Sequence, residues 1–221
     1  SHPDPRQWYR SSVVEFGWEE VEGVDYYIWD IVPDGQIADL RNVGTVSLDR
    51  AAVSKPLEDG KYAIHLGIQA GNDPVASIGR FPVWIDTEAK VPSLEILDSA
   101  GSSFGALRLA TAAAGFEYVS SDTDTMQLKL NYGDLDDLSG YSLVYARVNQ
   151  RESGGVPKTS RYTFDPTATI RLSGFEPGRN FIHIFVKDNA GNESDTEHYV
   201  VDFDPTPPPR VLDTVVKTHS N

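Results

Sequence analysis

The chain has no cysteine and a single methionine in 221 residues. Without thiols there is no disulfide framework, no thiolate nucleophile and no Cys-based zinc site. Basic residues are scarce: 19 Lys and Arg stand against 33 Asp and Glu, for a net charge of −14. Nucleic acid and anionic membrane surfaces both need clustered Lys and Arg, so neither is expected as a partner. No apolar run approaches the ~20 residues that span a bilayer, and no leader peptide is visible. No sequence logic joins a Ser, a His and an acid, so the chain reads as holding no catalytic nucleophile and as not an enzyme.

What is present is alternation. Ile182, Ile184 and Val186 alternate with Phe181, His183, Phe185 and Lys187, the period-two pattern of a half-buried strand. Asp188-Asn-Ala-Gly-Asn192 follows, rich in residues that bond nearby backbone or tolerate positive φ. Tyr199, Val201 and Phe203 then alternate again, and Asp204-Pro205 closes the pair.

The same hairpin stands earlier in the chain at a constant offset of 118 positions. Phe175-Glu-Pro-Gly178 falls on Leu57-Glu-Asp-Gly60, and Ile182-His183-Ile184 on Ile64-His65-Leu66. Tyr199, Val201, Phe203 and Asp204 fall on Phe81, Val83, Ile85 and Asp86. An internal repeat of this length implies two homologous domains in tandem. Other short alternating runs include Val14–Trp18, Tyr27–Ile31, Met126–Tyr132, Tyr141–Tyr145, Arg161–Phe164 and Thr169–Leu172. Turn signals separate them and helical periodicity is almost absent, which points to β-sandwiches of about seven strands each. Ala106–Ala114 is Ala-rich but lacks an amphipathic stripe, and reads as strand plus loop.

Four motifs carry a family resemblance. Leu57-Glu-Asp-Gly60-Lys-Tyr62 and Phe175-Glu-Pro-Gly178 resemble the turn before the F strand of fibronectin type III-like and Ig-like repeats. Asp188-Asn-Ala-Gly-Asn192-Glu-Ser194 resembles the D-x-A-G-N-x-S hairpin of tandem bacterial Ig-like repeats. Ile85-Asp86…Pro92 and Phe203-Asp204…Pro207 resemble their closing linker. The opening, Trp8-Tyr9…Phe16-Gly-Trp18, is similar to that of fibronectin-like repeats in bacterial exported proteins.

The expected fold is therefore all-β, with two tandem Ig-like/fibronectin III-like β-sandwich domains. The first spans 1–91 with its lead-in. The second spans 92–207, with an insertion at 99–127. Residues 208–221 read as a linker or the start of a further module, after the polyproline stretch Pro205–Pro209. The resemblance implies a non-catalytic structural and interaction module of a larger bacterial exported or envelope protein. Such modules work at the cell surface, outside the cell or in the periplasm, as spacers and as protein-binding surfaces. Their partners would be other domains of the same parent, another protein or a glycan.

Site residues are sought among aromatics of the wrong parity. Phe181 and Phe185 flank His183 on the face opposite the Ile182/Ile184/Val186 row, and Trp84 lies opposite Val83 and Ile85. Exposed there, they would stack on sugar or contact a protein, so a carbohydrate-binding accessory module is the alternative function. Coverage by a loop would make them packing residues instead. His183 and His198 are cross-strand neighbours, but two ligands without a third do not make a metal site. Asp122/Asp124 and Asp134/Asp136/Asp137 lack the glycine and terminal Glu of a calcium loop and read as solvated turns. No cofactor and no metal are expected.

Overall fold

The computed structural model describes residues 3–5, 7–42, 44–97, 101, 103–106, 108–109, 117–120, 124–131, 138–163 and 169–206. Every regular element among these residues is a strand. The chain divides into two compact units: one holds 1–91, 134–144 and 185–195, the other 92–133, 145–184 and 196–221.

The N-terminal part contributes β1 (Trp8–Tyr9), β2 (Glu15–Gly17), β3 (Tyr26–Pro33), β4 (Thr45–Ser47), β5 (Ala51–Val53), β6 (Gly60–Gln69) and β7 (Ala76–Ile85). They form a five-stranded sheet in the order β1-β7-β6-β3-β4 and a two-stranded sheet β2-β5. Val14, Ile64, Val83 and Ile85 make the buried core, with Phe16, Ile31, Leu57 and Tyr62 packed against it. The rings of Tyr27, Trp18, Phe16 and Trp29 continue it in that order, each 5.1–5.8 Å from the next between centroids.

The remaining strands are β8 (Ser93–Leu97), β9 (Ser103–Ala106), β10 (Arg108–Leu109), β11 (Glu117–Ser120), β12 (Thr125–Asn131), β13 (Tyr141–Asn149), β14 (Arg161–Thr163), β15 (Thr169–Ser173), β16 (Gly178–Asp188) and β17 (Glu197–Asp204). One sheet runs β15-β12-β8-β9 and the other β10-β17-β16-β13-β14, with β11 also paired to β17. Period-two alternation aims one row of each strand inward. Leu94 and Ile96 on β8 meet Leu130 and Leu128 on β12, which meets Ile170 and Leu172 on β15 through Leu128 and Met126. On the other sheet Ile182, Ile184, Val201 and Phe203 are buried. The fold class is all-β with tandem sandwiches.

The 118-residue repeat is realised residue for residue. Gly60 pairs with Ile85 and Gly178 with Phe203; the register stays matched through His65–Arg80 and His183–His198 to Leu66–Gly79 and Ile184–Glu197. Gly60 and Gly178 both open their strand at positive φ, 154° and 93°, which L side chains rarely adopt. At the second position after the glycine, each strand is tied back to the turn. The Tyr62 hydroxyl donates to Glu58 O at 3.0 Å, the tie that a tyrosine corner makes in sandwich domains. Asn180 stands in the matching place and accepts from Glu176 N at 3.0 Å while donating to Glu176 O at 2.7 Å.

The copies part after this. The β6–β7 register shifts between Leu66 and Gly67, leaving Ile78 as a bulge. Phe81, the repeat counterpart of buried Tyr199, is 39% exposed; inward parity alone predicts it buried. In the other hairpin the Asp188–Asn192 turn is self-bonded. Asp188 Oδ1 accepts from Gly191 N at 2.6 Å and Asn192 N at 2.8 Å. Burial pushes the Asp188 carboxyl above the usual carboxylate range, and the bonds from Asn192 and Gly191 oppose that. Asn192 Nδ2 also donates to Asp86 O at 2.8 Å, and Asp86 Oδ2 accepts from Ser139 N at 2.9 Å.

Several positions read from the sequence fall outside the described residues: Asp122, Asp134, Asp136, Asp137, Tyr132, Phe164 and Val211–Val216. Of the segment 99–127, residues 103–106, 108–109, 117–120 and 125–127 lie in strands β9, β10, β11 and β12.

Candidate functional site

Strand parity predicts that the outer face of β16 shows Phe181, His183 and Phe185 to solvent. The structure covers that face. His183 has no exposed surface and Phe185 is 6% exposed, while Phe181 is half-buried. For His183 the cause lies on the neighbouring strand and its loop, which strand parity does not report. Gly154 comes so close that a Cβ there would stand 3.1 Å from an Arg147 Nη and 3.8 Å from His183 Nε2.

His183 sits in a polar cluster. Its Nδ1 lies 2.6 Å from Nδ1 of His198, its register partner on β17, with the rings nearly perpendicular at 77°. Its Nε2 lies 3.1 Å from Asn149 Oδ1, which also accepts from Arg151 N at 2.7 Å. Asn149 Oδ1 is thus an acceptor, and His183 must donate from Nε2. That tautomer leaves Nδ1 with a lone pair, so His198 donates from its own Nδ1. The two nitrogens are too close for an ion between them: ligands at ~2.0–2.1 Å in tetrahedral geometry stand more than about 3 Å apart. Among the described residues no group of three His, Asp or Glu comes together as a metal ligand set. Burial holds the His183 imidazole below the ordinary histidine range, and the charges of His198 and Arg147 push the same way. No pattern in the sequence singles out Arg147 and Asn149. Their position on β13, beside His183, is set by sheet order.

Trp84, the aromatic of the other copy, is also occupied by its own chain. β1 lies parallel to the end of β7, with Trp8 opposite Trp84. The two rings stand 5.6 Å apart, and Lys61 Nζ lies 4.6 Å from the Trp84 centroid. The equivalent histidine, His65, is 8% exposed between Asp30 on β3 and Arg80 on β7. Gly67 stands where Phe185 stands in the other copy. A Cβ on it would meet Leu40 Cδ1 at 2.9 Å, because the segment before β4 folds over that face.

Open apolar surface is found elsewhere. Among the described residues the large apolar side chains left exposed are Ile37, Val46, Leu48, Val53, Ile78, Phe81 and Leu138, and all seven belong to the unit built on residues 1–91. A cavity of about 390 Å³ opens in the same unit, lined by Phe16, Trp18, Ile64, Leu66 and Phe81. The outer edge of β7 borders it: among the described residues β1 pairs only with Trp84 and Ile85, and Ala76–Phe81 are exposed.

One further string bears on catalysis. Gly101-Ser-Ser-Phe-Gly105 matches the G-x-S-x-G of the hydrolase nucleophile elbow. The elbow is a sharp strand-to-helix turn. Ser103 instead opens β9 and pairs with Leu97 of β8, so the string does not form that turn.

No protein-family model matches the chain, and no curated protein matches it by sequence. Solved structures similar to it include the fibronectin(III)-like modules of Clostridium thermocellum CbhA, at 11% identity and TM-score 0.37 over 89% of this chain and 90% of that one. A two-domain fibronectin type-III segment of chicken tenascin is similar at 11% identity and TM-score 0.37, over 88% of this chain and 94% of that one. The FN1–FN3 domains of chicken CNTN1 are similar at 10% identity and TM-score 0.36, over 89% of this chain and 65% of that one.

Proposed function

We propose that this chain is a non-catalytic structural and interaction module of a larger bacterial exported or envelope protein. It spaces its neighbouring domains and presents a protein-binding surface on the unit built on residues 1–91. Tandem modules with a boundary near 91/92 fit that role, since repeated sandwiches set distance while leaving loops and edges free. The carrying observation is the distribution of apolar surface among the described residues: the seven exposed large apolar side chains all belong to one unit, and an unpaired stretch of β7 lies in it. Of these, Ile78 and Phe81 lie together on the open edge of β7, beside an apolar cavity, and an exposed apolar edge of this kind is a place for a partner to dock. A free strand edge is a template for an added strand. The acidic balance of −14 keeps the remaining surface soluble.

The carbohydrate-binding alternative draws less support. Its four residues are Phe181, His183, Phe185 and Trp84. Phe185 and His183 are buried, and Trp84 is faced by Trp8 and Lys61. Phe181 and the remainder of Trp84 keep partial access. No helix among the described residues is long and apolar enough to cross a membrane.

The test is site-specific photo-crosslinking in the parent protein on living cells. Probes at Val46 and Ile78 should give discrete protein adducts, and probes at Lys129 and Arg171 should not. Adducts at all four positions alike, or at none, would overturn the assignment of the surface. A glycan array with reproducible hits that survive Val46→Asp and Ile78→Asp but vanish in Phe181→Ala would favour the alternative.

A further inference from the structure

We infer that His183 and His198 form a pH-sensitive clasp that holds the Asn149–Gly154 loop on the sheet face and lets it go on acidification. The ring protons can be counted. Two imidazoles offer four nitrogens. With both rings neutral, the protons sit on His183 Nε2, given to Asn149 Oδ1, and on His198 Nδ1, given to His183 Nδ1. Of the two nitrogens left, only His198 Nε2 lies outside the contact, so a third proton placed there leaves the pair intact with its bond charge-assisted.

The fourth proton has only His183 Nδ1, which already faces an N–H at a nitrogen separation of 2.6 Å. Two donors cannot share that space, so one ring must turn. His183 is fully buried and cannot turn alone without drawing on Asn149. Asn149 is bonded to the loop through Arg151 N.

The surroundings strengthen the effect. The charged groups acting on His183 among the described residues are His198 from β17 and Arg147 from β13, both cationic when protonated. Glu197 precedes His198 on β17 and accepts from the Tyr199 hydroxyl at 2.5 Å. From the loop, the Arg151 backbone hydrogen bond acts the opposite way and favours the protonated ring, while the Arg151 N–H is held by Asn149 Oδ1 and Gly154 lies against the ring. Arg147 Nε and Asn149 Nδ2 are themselves buried without partners among the described residues, so neither absorbs added positive charge. Coupled sites of this kind take up protons as a pair rather than as two independent histidines.

Hydrogen exchange followed by mass spectrometry, corrected for the intrinsic pH dependence, tests this on the intact chain between about pH 7.5 and 5.0, the range in which histidine titrates. Peptides covering 147–155 and 178–184 should lose protection as pH falls, by up to about tenfold per pH unit for each proton taken up. Peptides covering 60–69 should hold theirs. His183→Asn should flatten the response of 147–155. If that variant does not fold, NMR titration of the wild-type imidazoles decides. One ring should protonate first, and the amides of 149–155 should shift with the second. Constant protection over the range, or two rings titrating independently in the ordinary histidine range, would overturn the clasp.

Discussion

Strands β6 and β16 are two copies of one solution with two different outer faces. Both begin at a positive-φ glycine, are tied to the turn four residues upstream, and pair with the following strand in the same register. Their inner rows hold buried Ile64 in one copy and Ile182, Ile184 and Val186 in the other. Outside, one copy carries Ala63, His65 and Gly67, with Leu40 over Gly67; the other carries Phe181, His183 and Phe185, with the Asn149–Gly154 loop beside His183. The inner row must fill a sandwich core, so the repeat retains it. The outer row answers to whichever segment folds over it, and those segments are not repeated.

The largest effects are expected in the two cores. Ile64→Ala and Ile182→Ala should each cost about 2–5 kcal/mol in urea unfolding. All four tryptophans lie within 1–91. Tryptophan fluorescence should therefore report Ile64→Ala more directly than Ile182→Ala, and circular dichroism should report both. Equal fluorescence shifts for the two variants would show that the copies do not act as separate cores.

The turn ties come next. Asn180→Ala removes a fully buried amide and strands both backbone groups of Glu176, at a cost of about 1–3 kcal/mol. Tyr62→Phe removes one hydroxyl bond on the exposed side, at about 0.5–1.5 kcal/mol. The reverse ranking would mean that the Tyr tie, not the Asn, is the stronger corner. Gly67→Ala should cost about 1–3 kcal/mol through the clash with Leu40 and with Ala76 O at 3.1 Å. Leu40→Ala in the same chain should return part of that loss; no return would place the strain on the backbone alone.

The histidines separate the copies further. His183 is held below its ordinary range when folded, so its contribution is fully present above the unfolded pKa of about 6.5. Stability is lost as pH falls from there toward the folded value, and the loss then levels off. A stability–pH curve of His183→Asn should therefore be flatter than that of wild type between about pH 7.5 and 5.0. The smallest effect is expected at Lys61. Lys61→Met removes the cation from the Trp8–Trp84 pair, at about 0.5–1 kcal/mol in urea unfolding.

The all-β class, the tandem repeat, its offset and the inward rows were legible in the chain, because period-two alternation and turn chemistry are local properties. Ile182, Val201 and Phe203 are buried as their parity requires. Phe81 is the exception: its register is kept, but it lines the open cavity beside Phe16 and Trp18 and stays partly in water. The outer faces were settled by the folded structure. That Leu40 closes over Gly67, that Trp8 lies against Trp84, and that Arg147 and Asn149 reach His183 all depend on sheet order and loop path. Those contacts join residues dozens of positions apart, and no periodicity in the chain encodes which distant segment will cover an exposed face.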